Sequence, residues 1–146
     1  TTVKCFDLDQ KTTTTLAAYD TESVWLVGAY EDYLFYTVKE DGKKKLCIYE
    51  LNSGTAYTLE NGKTEAAVWN DQIFVCDENG NAELRSLNDP LIVTKEFKLP
   101  YTLRSTLAYL PRVIPVGKNL AFVTSEKTVV LIDKELKEVA SFSTEA

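Results

Sequence analysis

Histidine is absent from all 146 residues. That excludes Ser-His and Cys-His nucleophile pairs, imidazole metal ligands and an imidazole pH switch. Methionine is absent too, and the chain opens on Thr1, so it reads as an excised or processed piece of something longer. Apolar runs are short, as in Val24-Trp25-Leu26-Val27, far below the roughly 20 residues that span a bilayer. There is no secretory leader pattern and no Asn-x-Ser/Thr acceptor. Cysteine is sparse. Cys5, Cys47 and Cys76 are odd in number and widely spaced, without a CxxC pair, which is neither a disulfide framework nor a zinc signature. These absences point to reduced, buried thiols in a cytoplasmic or nuclear protein with no membrane segment.

What is present is a folded, acidic chain. Hydrophobic residues make up 45% and charged residues 26%, the balance of a globular domain that buries a core without staples. The net charge of -6 disfavours nucleic acid as a partner, because phosphate recognition needs clustered Lys and Arg. A basic partner suits it better.

Helical periodicity is weak throughout. Short β-rich runs dominate, broken at Asp41-Gly42, Ser53-Gly54, Asn61-Gly62 and Asn79-Gly80, dipeptides that accept the positive φ of tight hairpins. A repeat underlies them. Asp32-Tyr33-Leu34-Phe35-Tyr36-Thr37 matches Asp71-Gln72-Ile73-Phe74-Val75-Cys76 and Asn119-Leu120-Ala121-Phe122-Val123-Thr124, with Phe at the same place in each. A strand of a second type follows each copy, over 46–51, 82–87 and 129–133, and a further example over 3–8 opens the chain. One more strand comes after each of these, over 12–16, 55–59, 91–98 and 138–142. Another precedes each Phe strand, over 23–28, 65–69 and 107–116. The unit is four consecutive antiparallel strands recurring about every 40 residues, the rhythm of a propeller blade.

In this rhythm the chain resembles the β-propeller superfamily, broadly the WD-repeat proteins, although the Gly-His and Trp-Asp pairs of that family are missing. The resemblance implies an all-β fold of about three and a half blades: a half blade over 1–18 and full blades over 22–60, 64–98 and 105–143. Closed rings have about 4–8 blades. Closure therefore calls for further strands, or for self-association of two copies into a ring of seven.

The resemblance also places the loops between blades, and those between second and third strands, at one end. Here they fall over 17–22, 39–45, 60–64, 77–81, 99–105 and 125–127. Binding residues gather on such loops. Leu99-Pro100-Tyr101-Thr102-Leu103-Arg104 is the most irregular stretch, and Tyr101 and Arg104 are hot-spot residue types; the alternative is a connector packed under the blade. Tyr109 and Arg112, in a run with two prolines, are further binding candidates or else parts of an edge strand. Lys43 and Lys44 stand in a Lys-Lys-Lys hairpin tip that could touch phosphates or an acidic peptide but reads first as a solvated tip.

Other patterns lead away from chemistry. Asp77-Glu78-Asn79-Gly80-Asn81 puts Gly too early for a calcium loop and reads as an Asn-Gly hairpin. Glu31-Asp32 has no sugar cleft around it to make a glycosidase pair. Asp32, Asp71 and Asn119 are expected to form side-chain hydrogen bonds in the turns before the Phe strands, and Trp25 and Trp69 to be core. Cys5 and Cys47 read as equivalent positions and so as equally buried structural thiols. No catalytic residue, metal or cofactor is expected. The reading is a non-catalytic protein-interaction scaffold in a larger assembly, whose protein partner is a peptide on the loop end or a strand completing a blade. Its rivals are a ligand-binding or sensor propeller of a bacterial envelope and the propeller part of a larger hydrolase.

Overall fold

In a computed structural model of the chain, which describes residues 1–20, 23–105 and 111–143, the regular elements are all strands. β1 (Thr2–Asp7) and β2 (Thr12–Ala18) form a two-stranded sheet. Blade one contains β3 (Val24–Tyr30), β4 (Tyr33–Glu40), β5 (Lys43–Glu50) and β6 (Thr55–Leu59). Blade two contains β7 (Glu65–Trp69), β8 (Gln72–Cys76), β9 (Asn81–Ser86) and β10 (Val93–Lys98). Blade three contains β11 (Val113–Val116), β12 (Asn119–Val123), β13 (Thr128–Ile132) and β14 (Glu138–Ser143). Strand order in space follows chain order, and every pairing is antiparallel.

Burial follows strand position. The second strands β4, β8 and β12 are mostly buried on both faces and read as continuous apolar runs, because sheets can lie on either side of them. The outermost strands β10 and β14 are almost entirely exposed. Lys95, Glu96 and Glu138 on them put charge on an open sheet edge, which discourages pairing with stray strands.

Hairpin register aligns the repeats and corrects the alignment read from residue types. The two-residue loops are closed by the pairs Tyr30↔Tyr33, Trp69↔Gln72 and Val116↔Asn119. Asn119 therefore corresponds to Tyr33 and Gln72, not to Asp32 and Asp71. Phe122 corresponds to Tyr36 and Val75, one residue past Phe35 and Phe74. A shift of one residue turns a strand side chain to the other face. Phe35 and Phe74 thus face the following blade, while Phe122 faces back and packs edge-on to Phe74 with ring centroids 5.6 Å apart. The loops themselves are shaped by backbone at positive φ, at Glu31, Asn70, Asp71 and Gly117, rather than by side-chain hydrogen bonds from Asp32, Asp71 and Asn119.

The same comparison corrects the cysteines. The turns after β1 and β5 are closed by Asp7↔Thr12 and Glu50↔Thr55, so Cys5 corresponds to Ile48 and Lys4 to Cys47. Cys47 and Cys76 are buried, whereas Cys5 is exposed, because the two-stranded sheet lacks the inner strands that cover this position in the blades. Trp69 is core, and its indole N–H donates to the Lys118 carbonyl of the next blade at 3.0 Å. Trp25 is only half-buried.

Three apolar layers hold the sheets together. Val3, Leu16 and Ala17 pack on Tyr36, Val38 and Cys47. Phe35, Leu46 and Ile48 pack on Ala66, Ile73 and Val75. Trp69, Phe74 and Leu84 pack on Val113, Leu120 and Phe122. β1 and β2 correspond to the third and fourth strands of a blade, so the array holds three full blades and one outer strand pair.

Phe74→Ala removes a fully buried ring at the centre of the third layer and is expected to cost about 3–5 kcal/mol in urea unfolding. Leu26→Ala, at a residue left 69% exposed, is expected to change stability by no more than about 0.5 kcal/mol.

Candidate functional site

The first strands of the blades bring three equivalent positions to one end of the array. Trp25 pairs with Thr37 and Glu65 with Cys76, and Val123 donates its N–H to the Arg112 carbonyl at 2.9 Å. By register these are one position in three successive repeats, and the three side chains line a single recess of about 380 Å³.

Glu65 and Arg112 are both buried there. The Arg112 Nε donates to Glu65 Oε1 at 2.9 Å, and its Nη2 donates to the same oxygen. Nη1 donates to the Arg104 carbonyl at 2.9 Å and lies 3.6 Å from the Glu78 carboxylate. Burial raises the Glu65 carboxyl above the usual carboxylate range, and the guanidinium offsets only part of that. Lys39, Lys44, Ser23 and Ser105 complete the rim. Arg112 is therefore a buried clamp between blades two and three, while Lys44 is an exposed rim cation. Lys43 is exposed and lines a separate hollow beside Lys45 and Glu60, where Lys45 binds Glu60 at 3.0 Å.

Beside the recess, three loops form a braced platform. Leu99 N–H donates to Gly80 O at 2.8 Å, Leu103 N–H to Glu78 O at 2.8 Å, and Ser125 N–H to Thr102 O at 2.9 Å. The hairpin at 77–81 is set by Asp77, whose carboxylate accepts from the Asn79 and Asn81 N–H groups and from the Asn81 side chain. These bonds favour its ionised form and hold its carboxyl below the ordinary range, although burial acts the other way. Gly80 is required on two counts. Its φ is +89°, and a Cβ there would collide with the Tyr101 carbonyl.

On this platform Arg104 is exposed, with its N–H bound to Val123 O at 2.9 Å. Tyr101 is half-buried, its ring 6.5 Å from that of Phe122 and its hydroxyl 3.5 Å from Glu138 Oε2. Burial and the Glu138 charge raise its phenol above the ordinary range. It lines a groove of about 600 Å³ with Asn79, Lys98, Ser125 and Glu138. Tyr109 lies outside the described residues. Sequence reasoning missed Glu65 and Glu78 here, and also the buried Glu83–Arg85 pair at 3.1 Å. The available signal was a lone charge inside an otherwise apolar strand, as in Glu65-Ala66-Ala67-Val68-Trp69. Among the described residues, no group of three or more His, Cys, Asp or Glu side chains is placed to hold a metal ion.

Consecutive four-stranded meanders packed face to face, with their first strands around a common recess, make the chain a run of β-propeller blades. Solved structures agree. A chain of the mitotic checkpoint complex aligns with a TM-score of 0.62 at 14% identity, over 98% of this chain and 44% of its own length. A chain of the nidogen/laminin complex aligns with a TM-score of 0.61 at 15% identity, over 96% of this chain and 54% of its own. BamB from Moraxella catarrhalis gives 0.55 at 11% identity, over 81% of this chain and 38% of its own. The chain thus spans between about two-fifths and just over half of those structures. At such identities the likeness is one of fold. No family model and no curated protein matches the sequence.

Arg112→Ala strands a buried carboxylate and is expected to cost about 3–5 kcal/mol near pH 7. The variant's folded-state Glu65 pKa lies higher still, so protonation as pH falls relieves the unpaired charge. The gap to wild type is expected to narrow toward about pH 4 in denaturant titrations. Gly80→Ala is expected to lower the melting temperature and to speed amide exchange at Leu99 and Leu103, read by hydrogen–deuterium exchange.

Proposed function

We propose that the chain is a non-catalytic protein-interaction scaffold, a propeller segment of a larger assembly that holds a peptide on its braced loop end. The platform of residues 77–81, 99–105 and 124–125 carries this reading. Main-chain hydrogen bonds lock it, so binding there costs little ordering entropy. It presents an exposed Arg104 and a half-exposed Tyr101, side chains that anchor protein interfaces. Lys39 and Lys44 on the neighbouring rim favour an acidic peptide. Two of the similar folds belong to complexes, nidogen/laminin and the mitotic checkpoint complex, which supports a place in an assembly. A cytoplasmic or nuclear setting is part of the proposal and rests on the reduced cysteines.

The test is quantitative mass spectrometry of proteins that co-purify with the wild-type chain and with Tyr101→Ala, Arg104→Glu and, as a control at the opposite end, Lys134→Glu. A defined partner set is expected to fall by about tenfold with the first two, which is a loss of about 1.4 kcal/mol. It should persist with the control, and the melting temperature should be unchanged for Arg104→Glu and Lys134→Glu, whose side chains are exposed or at the opposite end. Equal recovery across all variants would remove this surface as the binding site.

A further inference from the structure

Two lysines stand directly opposite each other across β4 and β5. The register pairs Lys39 with Lys44, and like charges in that position destabilise a sheet. Their neighbours are arranged the other way. Glu40 stands opposite Lys43, and Lys45 binds Glu60 at 3.0 Å. Among the described residues neither Lys39 nor Lys44 forms an ion pair. Both are exposed, and both line the recess that holds Trp25, Glu65 and Arg112. We infer that this recess is the pocket for one carboxylate side chain, aspartyl or glutamyl, of the peptide held on the loop end, and that Lys39 and Lys44 are its receptor pair. The inference rests on the peptide-scaffold reading above and names the side chain that the peptide must carry.

Charge decides the sign of the occupant. Three cations in the recess, Lys39, Lys44 and Arg112, face two carboxylates, Glu65 and Glu78. The recess is thus locally positive in a chain of net charge -6, which draws an anion to this point of the surface. Lys44 also acts electrostatically on Glu65, but that carboxylate is already bonded to Arg112. A carboxylate between the two lysines relieves their repulsion. The Thr64 hydroxyl, buried in the same wall without a hydrogen-bond partner, is an orphan donor that a carboxylate oxygen would satisfy. Trp25, half-buried beside it, offers a ring face to the methylenes of the entering side chain.

The same residues argue against phosphate. A phosphate is best held by a free guanidinium fork, and every arm of Arg112 is engaged with Glu65, the Arg104 carbonyl or Glu78. The two carboxylates would repel a dianion more than a monoanion. Continuity with the platform favours a peptide over a free acid. Ser105 ends the platform segment and lines the recess, and Glu78 accepts the Leu103 N–H on its carbonyl while its side chain lines the recess. A chain crossing the platform therefore reaches Lys39 and Lys44 without a gap.

The test follows the two tryptophan indole N–H signals by NMR in the full chain. Trp25 reports on the recess, and Trp69, bonded to the Lys118 carbonyl at the other end, is the internal control. The probes are the capped tripeptide Gly-Glu-Gly, its glutamine and phosphoserine counterparts, and acetate. The glutamyl peptide is expected to shift Trp25 saturably and to leave Trp69 in place. The glutaminyl peptide and acetate are expected to bind at least about tenfold more weakly. Lys39→Gln and Lys44→Gln are each expected to weaken the glutamyl peptide by about tenfold. Neither should lower the melting temperature, because each removes a like-charge pair. Equal affinity for the glutamyl and glutaminyl peptides would overturn the proposal, as would unchanged affinity in the lysine variants. Tighter binding of the phosphoseryl peptide would overturn the carboxylate assignment, and acetate matching the glutamyl peptide would assign the recess to a free acid instead. Tyr101→Ala and Arg104→Glu should leave the tripeptide's affinity unchanged. If the tripeptide fails while the co-purifying partners still respond to those two changes, the recess is wrong and the platform stands. If the tripeptide binds and no partner responds, the platform alone is wrong.

Discussion

Face-to-face packing of consecutive sheets is the interaction on which the rest depends. Each blade is a four-stranded meander with two apolar faces, and such a sheet cannot bury both alone. Blade two is the worked case. Ile73 and Val75 point back to Phe35 and Ile48, while Phe74 and Trp69 point forward to Phe122 and Val113. One strand, β8, supplies both layers through the two-residue period of its side chains. The Trp69–Lys118 hydrogen bond and the Tyr33 hydroxyl donating to the Leu87 carbonyl fasten the same pairs of blades at the end away from the recess.

The two flanks of the array follow from this rule and differ from each other. Blade three turns Ile114, Val116, Val129, Leu131 and Phe142 outward on the face that blades one and two cover with the next blade, and Ile114, Val116 and Phe142 remain substantially exposed. At the other flank the array offers half of a sheet. One flank thus presents a complete apolar face and the other an incomplete hairpin partner, so the two are not copies of one surface. Their difference gives the array a direction, from the two-stranded sheet to blade three.

Strand rhythm was legible because a propeller blade writes itself locally: tight turns, short apolar runs and a repeat near 40 residues. Faces were less legible. Matching Phe122 to Phe35 and Phe74 respected residue type but missed the loop Gly117-Lys118, where the third repeat turns one residue earlier relative to its Phe than the others do. The Cys5–Cys47 match failed likewise, since counting back from the equal turns after β1 and β5 places Lys4, not Cys5, at the Cys47 position. Tyr101 and Arg104 were legible as an irregular, aromatic and basic segment. The Glu65–Arg112 pair was not, because its partners stand 47 residues apart and meet only once the repeats are in register.

That pair links the scaffold to its surface. Trp25, Glu65 and Arg112 occupy one repeat position that lines the recess at the margin of the apolar layers, where polar partners can be met, unlike the positions of Phe74 and Val75. Blade two fills it with an anion and blade three with a cation, and burial makes breaking their union costly. Because Arg112 also binds the Arg104 carbonyl, the clamp between blades fixes the far end of the platform segment 99–105. Loop residues are usually mobile, but here a buried charge on a strand edge sets their position. A partner gripping Arg104 would pull on main chain already tied through Arg112 to Glu65 on β7, the innermost strand of blade two.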